Sequence, residues 1–483
     1  MNSRSHYSAR LRVNANKARA LRQPLQHAPA PQVAQVALDQ GEGLSATPLV
    51  RPGARVRLGT IIACRTESPA AVVHSPVAGR VIDVDMHSAS NGPCLCVTIE
   101  NDGSDERDPA LAPIPDYAAL APEVLIAHLR EGGIVGLGGA AFPTATKLQA
   151  ARQQSSRHLI LNGAECEPWI CCDDALMRAR ADDILFGARA LMHIAQTERC
   201  TIAVEDDKPE AIEALTNALA STSASAIELA VLPTLYPSGA EEQLITALTG
   251  LEVPSAGLPA DIGVLCQNVA TAAAVARLLQ TGEPLISRVV TVTGSGIAQP
   301  GNFETRIGTP IAALIELCGG YRKQPQRLIA GGSMMGRALP SDDIATTKSM
   351  SCVLVASEAD LMPRGNPASC IRCGDCAVCC PIGLLPQELH RAATADDLDR
   401  LDSLGIADCI LCGCCDYVCP SQIALTSAFR RSRQAVRKRS EERQLASASR
   451  QRFERHSQRL QAQAQAERLA FEQARRRARG EPD

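Results

Sequence analysis

The sequence predicts a multidomain chain built of α/β and α+β units, and three observations predict it. Short β-rich runs punctuated by Pro-Gly and Ala-Gly turns fill residues 45–105. Strand-like and helix-like segments alternate over about 120–280, the pattern of a mostly parallel sheet covered by helices. Between Cys370 and Pro420 the motif C-x2-C-x2-C-x3-C-P occurs twice. A length of 483 residues accommodates about three or four such units.

Composition narrows the class. The chain is 45% hydrophobic and 21% charged, as globular proteins are, but only 2% aromatic, so its cores must be aliphatic. No window approaches ~18 uninterrupted apolar residues, which excludes a transmembrane helix. The basic N-terminus lacks an apolar h-region and does not read as a secretory signal. With 20 cysteines, that reading implies a reducing compartment and thiols rather than disulfides. The net charge of −3 hides an asymmetry: residues 427–483 carry 16 Lys/Arg and 7 Asp/Glu, leaving 33 and 45 for the rest. A basic tail on an acidic body points to an anionic surface or partner. Few aromatics in that tail count against nucleic acid.

Taken in order, residues 1–44 are rich in Ala, Gln, Pro and Arg without a sustained period and are expected to be poorly ordered. Residues 45–105 resemble a barrel-sandwich domain of the lipoyl or biotinyl type. Val84-Asp85-Met86 stands where such carriers present a modified lysine, so a scaffold is expected. His74 and the Cys94/Cys96 pair are metal-capable, but two cysteines on one strand face read as packing. A Pro-rich linker, residues 108–122, precedes the α/β unit of 118–282. There a helix ends at Gly132-Gly133, and a glycine-rich loop, IVGLGGAAFP, runs into the next helix, a geometry suited to phosphate. HLILN reads as a buried strand, followed by a loop crowded with Glu165, Glu167, Asp173 and Asp174. Residues 285–337 read as a small α+β module, 360–426 as the cysteine-rich unit, and 427–483 as a polar, exposed helix.

The cysteine runs carry the most specific chemistry. The first is Cys370, Cys373, Cys376 and Cys380; the second is Cys409, Cys412, Cys415 and Cys419, each followed by proline. Two-residue gaps let a tight loop aim three thiolates at one cubane, and in ferredoxins with two [4Fe–4S] clusters the fourth cysteine of each run ligates the other cluster. Cluster one is therefore assigned Cys370, Cys373, Cys376 and Cys419, and cluster two Cys409, Cys412, Cys415 and Cys380. Structural zinc takes four ligands and leaves the repeated ending unexplained. Cys379 and Cys414, out of register, read as spectators.

Together these features resemble the RnfC family, a component of the Rnf (Rsx) electron-transport complex. The resemblance rests on EGGIVGLGGAAFPTATKL, LNGAECEP, YPSGAEEQLITALTG, LPADIGVLCQNVATAAA and the paired cysteine runs, over roughly residues 45–425. The α/β part is also similar to the flavoprotein subunit of respiratory complex I, a Rossmann-like domain, and 285–337 resembles the SLBB fold that follows it. The resemblance implies that Gly136, Gly138, Gly139, Phe142 and Lys147 form a phosphate and cofactor loop. It places Glu165 and Glu167, as catalytic groups, with Asn162 beside flavin and nicotinamide, and Tyr236, Gly239, Glu241 and Asn268 around them. It further implies FMN and two [4Fe–4S] clusters as cofactors, NADH as substrate, and ferredoxin or an iron–sulfur subunit and the other subunits of the complex as partners. The chain would sit peripherally on the cytoplasmic face of a bacterial inner membrane, its electron traffic coupled to ion movement. Ala141 stands where the common loop has glycine, and its methyl group is expected to narrow the cofactor's approach. Two other readings stay open: a flavin/iron–sulfur reductase of the cobalamin-reductase type, and a non-catalytic ferredoxin-like relay with an empty nucleotide pocket.

Overall fold

The computed structural model describes residues 11–41, 45–65, 72–222, 226–322, 325–361 and 365–479. At its centre is a four-stranded parallel sheet in the order Ile227–Leu232, Arg199–Glu205, His158–Gly163, Val264–Asn268. Leu159, Ile160 and Leu161 are fully buried, as expected of a strand covered on both faces, which is why HLILN reads as a continuous apolar run. The chain adds two strands on one side of His158–Gly163 and then returns to the other side for Val264–Asn268. Strand order therefore reverses at this pair, and the crevice beyond their carboxyl ends is the place where such sheets bind ligands.

Helices Ala181–Ala195 and Val269–Thr281 cover one face. They approach closely because Gly187 has no side chain: a Cβ there would lie 1.9 Å from the Ala272 carbonyl oxygen. Asn268 caps the second helix, its side chain accepting the Ala270 N–H at 2.8 Å.

The N-terminal sandwich pairs a four-stranded sheet (Val33–Ala37, Cys94–Asn101, Gly79–His87, Arg55–Val56) with a three-stranded one (Thr47–Pro48, Ile61–Cys64, Val73–His74). This corrects the expectation for residues 1–44, of which 1–10 and 42–44 lie outside the described residues. Val33–Ala37 is an edge strand paired antiparallel with Cys94–Asn101, and Gln26–His27 pairs with Gly301–Arg306 of another sheet. The signal was present in Ala34, Val36 and Leu38, which alternate and are buried, but the run is short and set among Gln and Pro. The long hairpin turns at residues 88–93, beyond Val84-Asp85-Met86, and has no lysine there either. Cys94 and Cys96, their sulfurs 3.9 Å apart, pack with Ala37 and Ala89.

The third unit is a six-stranded sheet in which Cys352–Ala356 lies between Ser287–Thr293 and Arg327–Ala330. That strand falls outside the bounds 285–337 read from the sequence, although all five of its residues are buried. The cysteine unit follows, with helices Pro386–Thr394 and Leu398–Ser403 packed on the start of a 54-residue helix, Leu425–Ala478. Leu425, Phe429 and Val436 are buried in that contact, whereas Leu445, Phe453, Leu460, Leu469 and Phe471 are exposed. Among the described residues, no helix is long and apolar enough to cross a membrane.

Candidate functional site

The glycine loop folds over the reversal point of the parallel sheet. The Gly136 N–H donates to the Phe142 carbonyl at 2.8 Å, closing the loop, and the Leu137 N–H donates to the Thr271 hydroxyl at 2.9 Å, tying it to the first turn of Val269–Thr281. Gly138 faces Asn268; a Cβ on it would sit 3.5 Å from the Asn268 Cβ. Gly139, at φ +117°, faces open space, with nothing described within 4 Å of a would-be side chain. The Phe142 ring is exposed. The expectation for Ala141 is corrected: it takes φ +51° and is buried. Its methyl group packs where Gly41 of the sandwich leaves room, a Cβ at Gly41 lying 3.2 Å from it. It therefore faces a domain junction rather than the open side of the loop.

Asn162 and Asn268 are register partners at the ends of adjacent strands. The Asn268 amide donates to the Asn162 carbonyl at 3.3 Å and to the Asp173 carboxylate at 2.6 Å. The Asn162 amide donates to the Gly239 carbonyl at 2.9 Å, and Gly239 is pressed so close that a Cβ would fall 2.1 Å from the Ala164 oxygen. Lys147 pairs with Glu241 at 2.7 Å and also donates to the Cys266 carbonyl. Two residues expected around the cofactor thus neutralise each other, and Lys147 is not a free cation waiting for phosphate.

Glu165 and Glu167 part company. Glu165 is buried, its carboxylate accepting the Asp173 N–H at 2.9 Å and the Cys172 thiol at 3.3 Å. Glu165, Cys172 and Asp173 converge within 4.8 Å, but with these hydrogen bonds in place the group is a proton-sharing cluster rather than an ion cage. Burial, then the charge of Glu165, push the Asp173 carboxyl up to about 7. Burial raises Glu165 in the same direction, opposed by Lys17 and Lys208. Glu167 turns away and accepts the Met334 and Met335 N–H groups at 2.7 and 3.0 Å, stitching this loop to the six-stranded unit.

Sequence reasoning missed two cations here. Lys17 is buried and donates to the Glu165 carbonyl. Arg288 is buried and donates to the Leu137 carbonyl of the glycine loop at 3.2 Å. Neither had a local signal, since each reaches the site from another unit.

A pH dependence follows from the sign of these shifts. A carboxyl whose folded pKa is raised holds its proton more tightly in the native state, so stability falls as pH rises between the unfolded and folded values. Urea midpoints are expected to decline from about pH 4 to about pH 7, and Asp173→Asn is expected to flatten that decline.

Tyr236 is also corrected. Expected beside the flavin, it is buried with its hydroxyl donating to the Cys412 carbonyl at 2.6 Å. It therefore touches the cysteine unit directly.

The two cysteine runs fold as a repeat offset by 39 residues, from Cys370 to Cys409. Arg372 and Leu411, then Gly374 and Gly413, then Gly383 and Gln422 take positive φ at matching positions. Helices Asp375–Val378 and Cys414–Tyr417 also match. The left-handed turns on either side of Cys373 and Cys412 wrap each loop around an interior. One recess of about 410 Å3 is lined by Cys370, Cys373, Cys376 and Cys419. The other, about 390 Å3, is lined by Cys380, Cys409, Cys412 and Cys415, with Cys414 beside them. The fourth cysteine of each run thus lies in the recess of the other run. Burial pushes the Cys409 thiol up to about 11, a penalty that metal coordination reverses by displacing the proton.

Comparison with known families matches residues 8–104 to the RnfC barrel sandwich hybrid domain, 129–277 to the Nuo51 FMN-binding domain and 289–338 to the SLBB domain. The RnfC-type member of the ion-translocating oxidoreductase complex of Pseudomonas aeruginosa is 45% identical over 450 residues, covering 92% of this chain and 58% of that protein. Its counterpart from Haemophilus influenzae is 40% identical over 455 residues, covering 93% and 67%. The chain thus spans between 58% and 67% of these two relatives. An NAD+-reducing [NiFe]-hydrogenase in the H2-reduced state aligns with a TM-score of 0.47 at 19% identity, over 67% of this chain and 65% of that one. The domain order, the family matches and the identities to the two relatives agree: the chain belongs to the RnfC family of ion-translocating oxidoreductase complexes.

Proposed function

We propose that this chain is a peripheral electron-transfer subunit that passes electrons between NADH, FMN and two [4Fe–4S] clusters, connecting NAD with ferredoxin or an iron–sulfur subunit of a membrane complex at the cytoplasmic face. The observation that carries the reading is the contact between a nucleotide crevice and a cysteine recess, made by Tyr236 on Cys412. The residues present fit both kinds of group. Gly138 and Gly139 leave the crevice open, Phe142 presents an exposed ring, and the Asn162–Asn268 pair marks the floor. Cys370, Cys373, Cys376 and Cys419 would hold one cluster, and Cys409, Cys412, Cys415 and Cys380 the other. A bound flavin supplies the exchange between paired nicotinamide electrons and single cluster electrons. The chain's residues orient and insulate: Arg288 and Thr271 hold the loop, while Glu165 and Asp173 keep protons within the buried wall.

The test is anaerobic reconstitution with iron, sulfide and FMN, followed by NADH. Bleaching of the flavin absorbance and then reduction of a cluster signal is the expected result. Clusters reducible by dithionite without flavin uptake would leave a relay and withdraw the roles of Gly136 to Lys147.

A further inference from the structure

The repeat makes two nearly equal recesses, but the rest of the protein treats them unequally. Cys370 and Cys373 are exposed, and Arg372 and His390 help line their recess. The second recess is walled by Ile382, Leu384, Leu389 and Phe429. Its loop is held to the α/β unit at two points: the Tyr236 hydroxyl on the Cys412 carbonyl, and the Ser255 hydroxyl on Asp408 at 2.7 Å. Tyr236, Cys379, Cys412 and Cys414 form one dry patch that Cys166 and Met334 border. Five residues after Tyr236, Glu241 grips Lys147 on the helix that follows the glycine loop. An extended chain covers at most about 17 Å in that span, so the segment 236–241 directly links the cluster loop to the crevice.

We propose that Tyr236 is a positioning residue for the cluster of Cys380, Cys409, Cys412 and Cys415, docking it as the one proximal to the crevice and raising its reduction potential through the hydrogen bond to the Cys412 carbonyl. The exposed cluster of Cys370, Cys373, Cys376 and Cys419 is then the exit toward a partner. A donor aimed at a ligand residue places positive charge where the added electron goes, and hydrogen bonding and exposure are what set cluster potentials. Cys373, the repeat counterpart of Cys412, is exposed instead.

The inference rests on the cluster ligation proposed for the two recesses. The test is an EPR-monitored redox titration of the full chain with both clusters assembled, which needs neither FMN nor NADH. Cys409→Ala, which leaves only the exposed cluster, assigns the signals. Tyr236→Phe keeps the ring and removes the hydroxyl. It is expected to shift the proximal couple about tenfold toward the oxidised form, about 59 mV for one electron, and to leave the exposed couple in place. A 3-fluorotyrosine at position 236 keeps the shape, strengthens the donor and is expected to move the same couple the opposite way. This variant carries the test if Tyr236→Phe does not fold. Unchanged potentials, or equal shifts of both couples, overturn the assignment to Tyr236. A wild-type chain that assembles no clusters overturns the proposed electron-transfer function instead.

Discussion

Cys409→Ala is expected to halve the bound iron, from about eight to about four atoms per chain. Cys409 opens the second run and shares its recess with Cys380, Cys412 and Cys415, so the loss of this thiolate removes one corner of a single site. Cys370, Cys373, Cys376 and Cys419 line the other recess and keep their set. Iron and sulfide assays on anaerobically purified protein read the result directly. Cys414→Ala is the control. Its side chain borders the same recess but stands out of register in the repeat, and iron content is expected to stay unchanged. A loss of iron in Cys414→Ala with none in Cys409→Ala would reverse the ligand assignment.

Lys208→Met is expected to destabilise the chain by about 3–5 kcal/mol. Lys208 and Glu205 are both essentially inaccessible and pair at 2.7 Å. Burial pushes the ammonium down, but Glu205 and then Asp207 outweigh it and hold it above its ordinary value. Glu205 also accepts the Ser238 hydroxyl at 2.8 Å, which ties this pair to the segment carrying Tyr236 and Gly239. Removing the cation leaves a carboxylate buried and unpaired, and that desolvation dominates the loss. Urea unfolding of the variant measures it. Adding Glu205→Gln is expected to recover a large part, because the stranded charge is then gone. A single-variant loss below about 1 kcal/mol, the range of exposed pairs, would mean that water reaches Glu205.

The cysteine unit was legible because its chemistry is local. Ligand spacing within 12 residues encodes a loop, and a repeat of that loop encodes a second site, so the recess membership of all eight cysteines could be read from Cys370 to Pro420. The parallel sheet was legible for a similar reason: HLILN and CTIAVEDD are apolar runs of strand length between amphipathic helices. Residues 33–37 were not, since a five-residue strand between Pro and Gln runs carries too few alternations to stand out. The central strand 352–356 was read as a connector because its partners, residues 287–293 and 327–330, lie far back in the chain.

The candidate crevice divides the same way. Glycines at 136, 138 and 139, and the positions of Asn162 and Asn268 at strand ends, follow from short-range pattern and resemblance. What those side chains touch does not. Lys147 meets Glu241 across 94 residues, Lys17 meets Glu165 across 148, and Tyr236 meets Cys412 across 176. Ala141 looked like an obstruction in the loop until Gly41, from another unit, supplied the room for its methyl group. Spacing along the chain determines which backbone turns and metal-binding loops can form. Only the packing of one unit on another decides which charge is neutralised, which tyrosine reaches a cluster ligand and which of two like recesses faces the crevice, because those contacts join residues that no local rule relates.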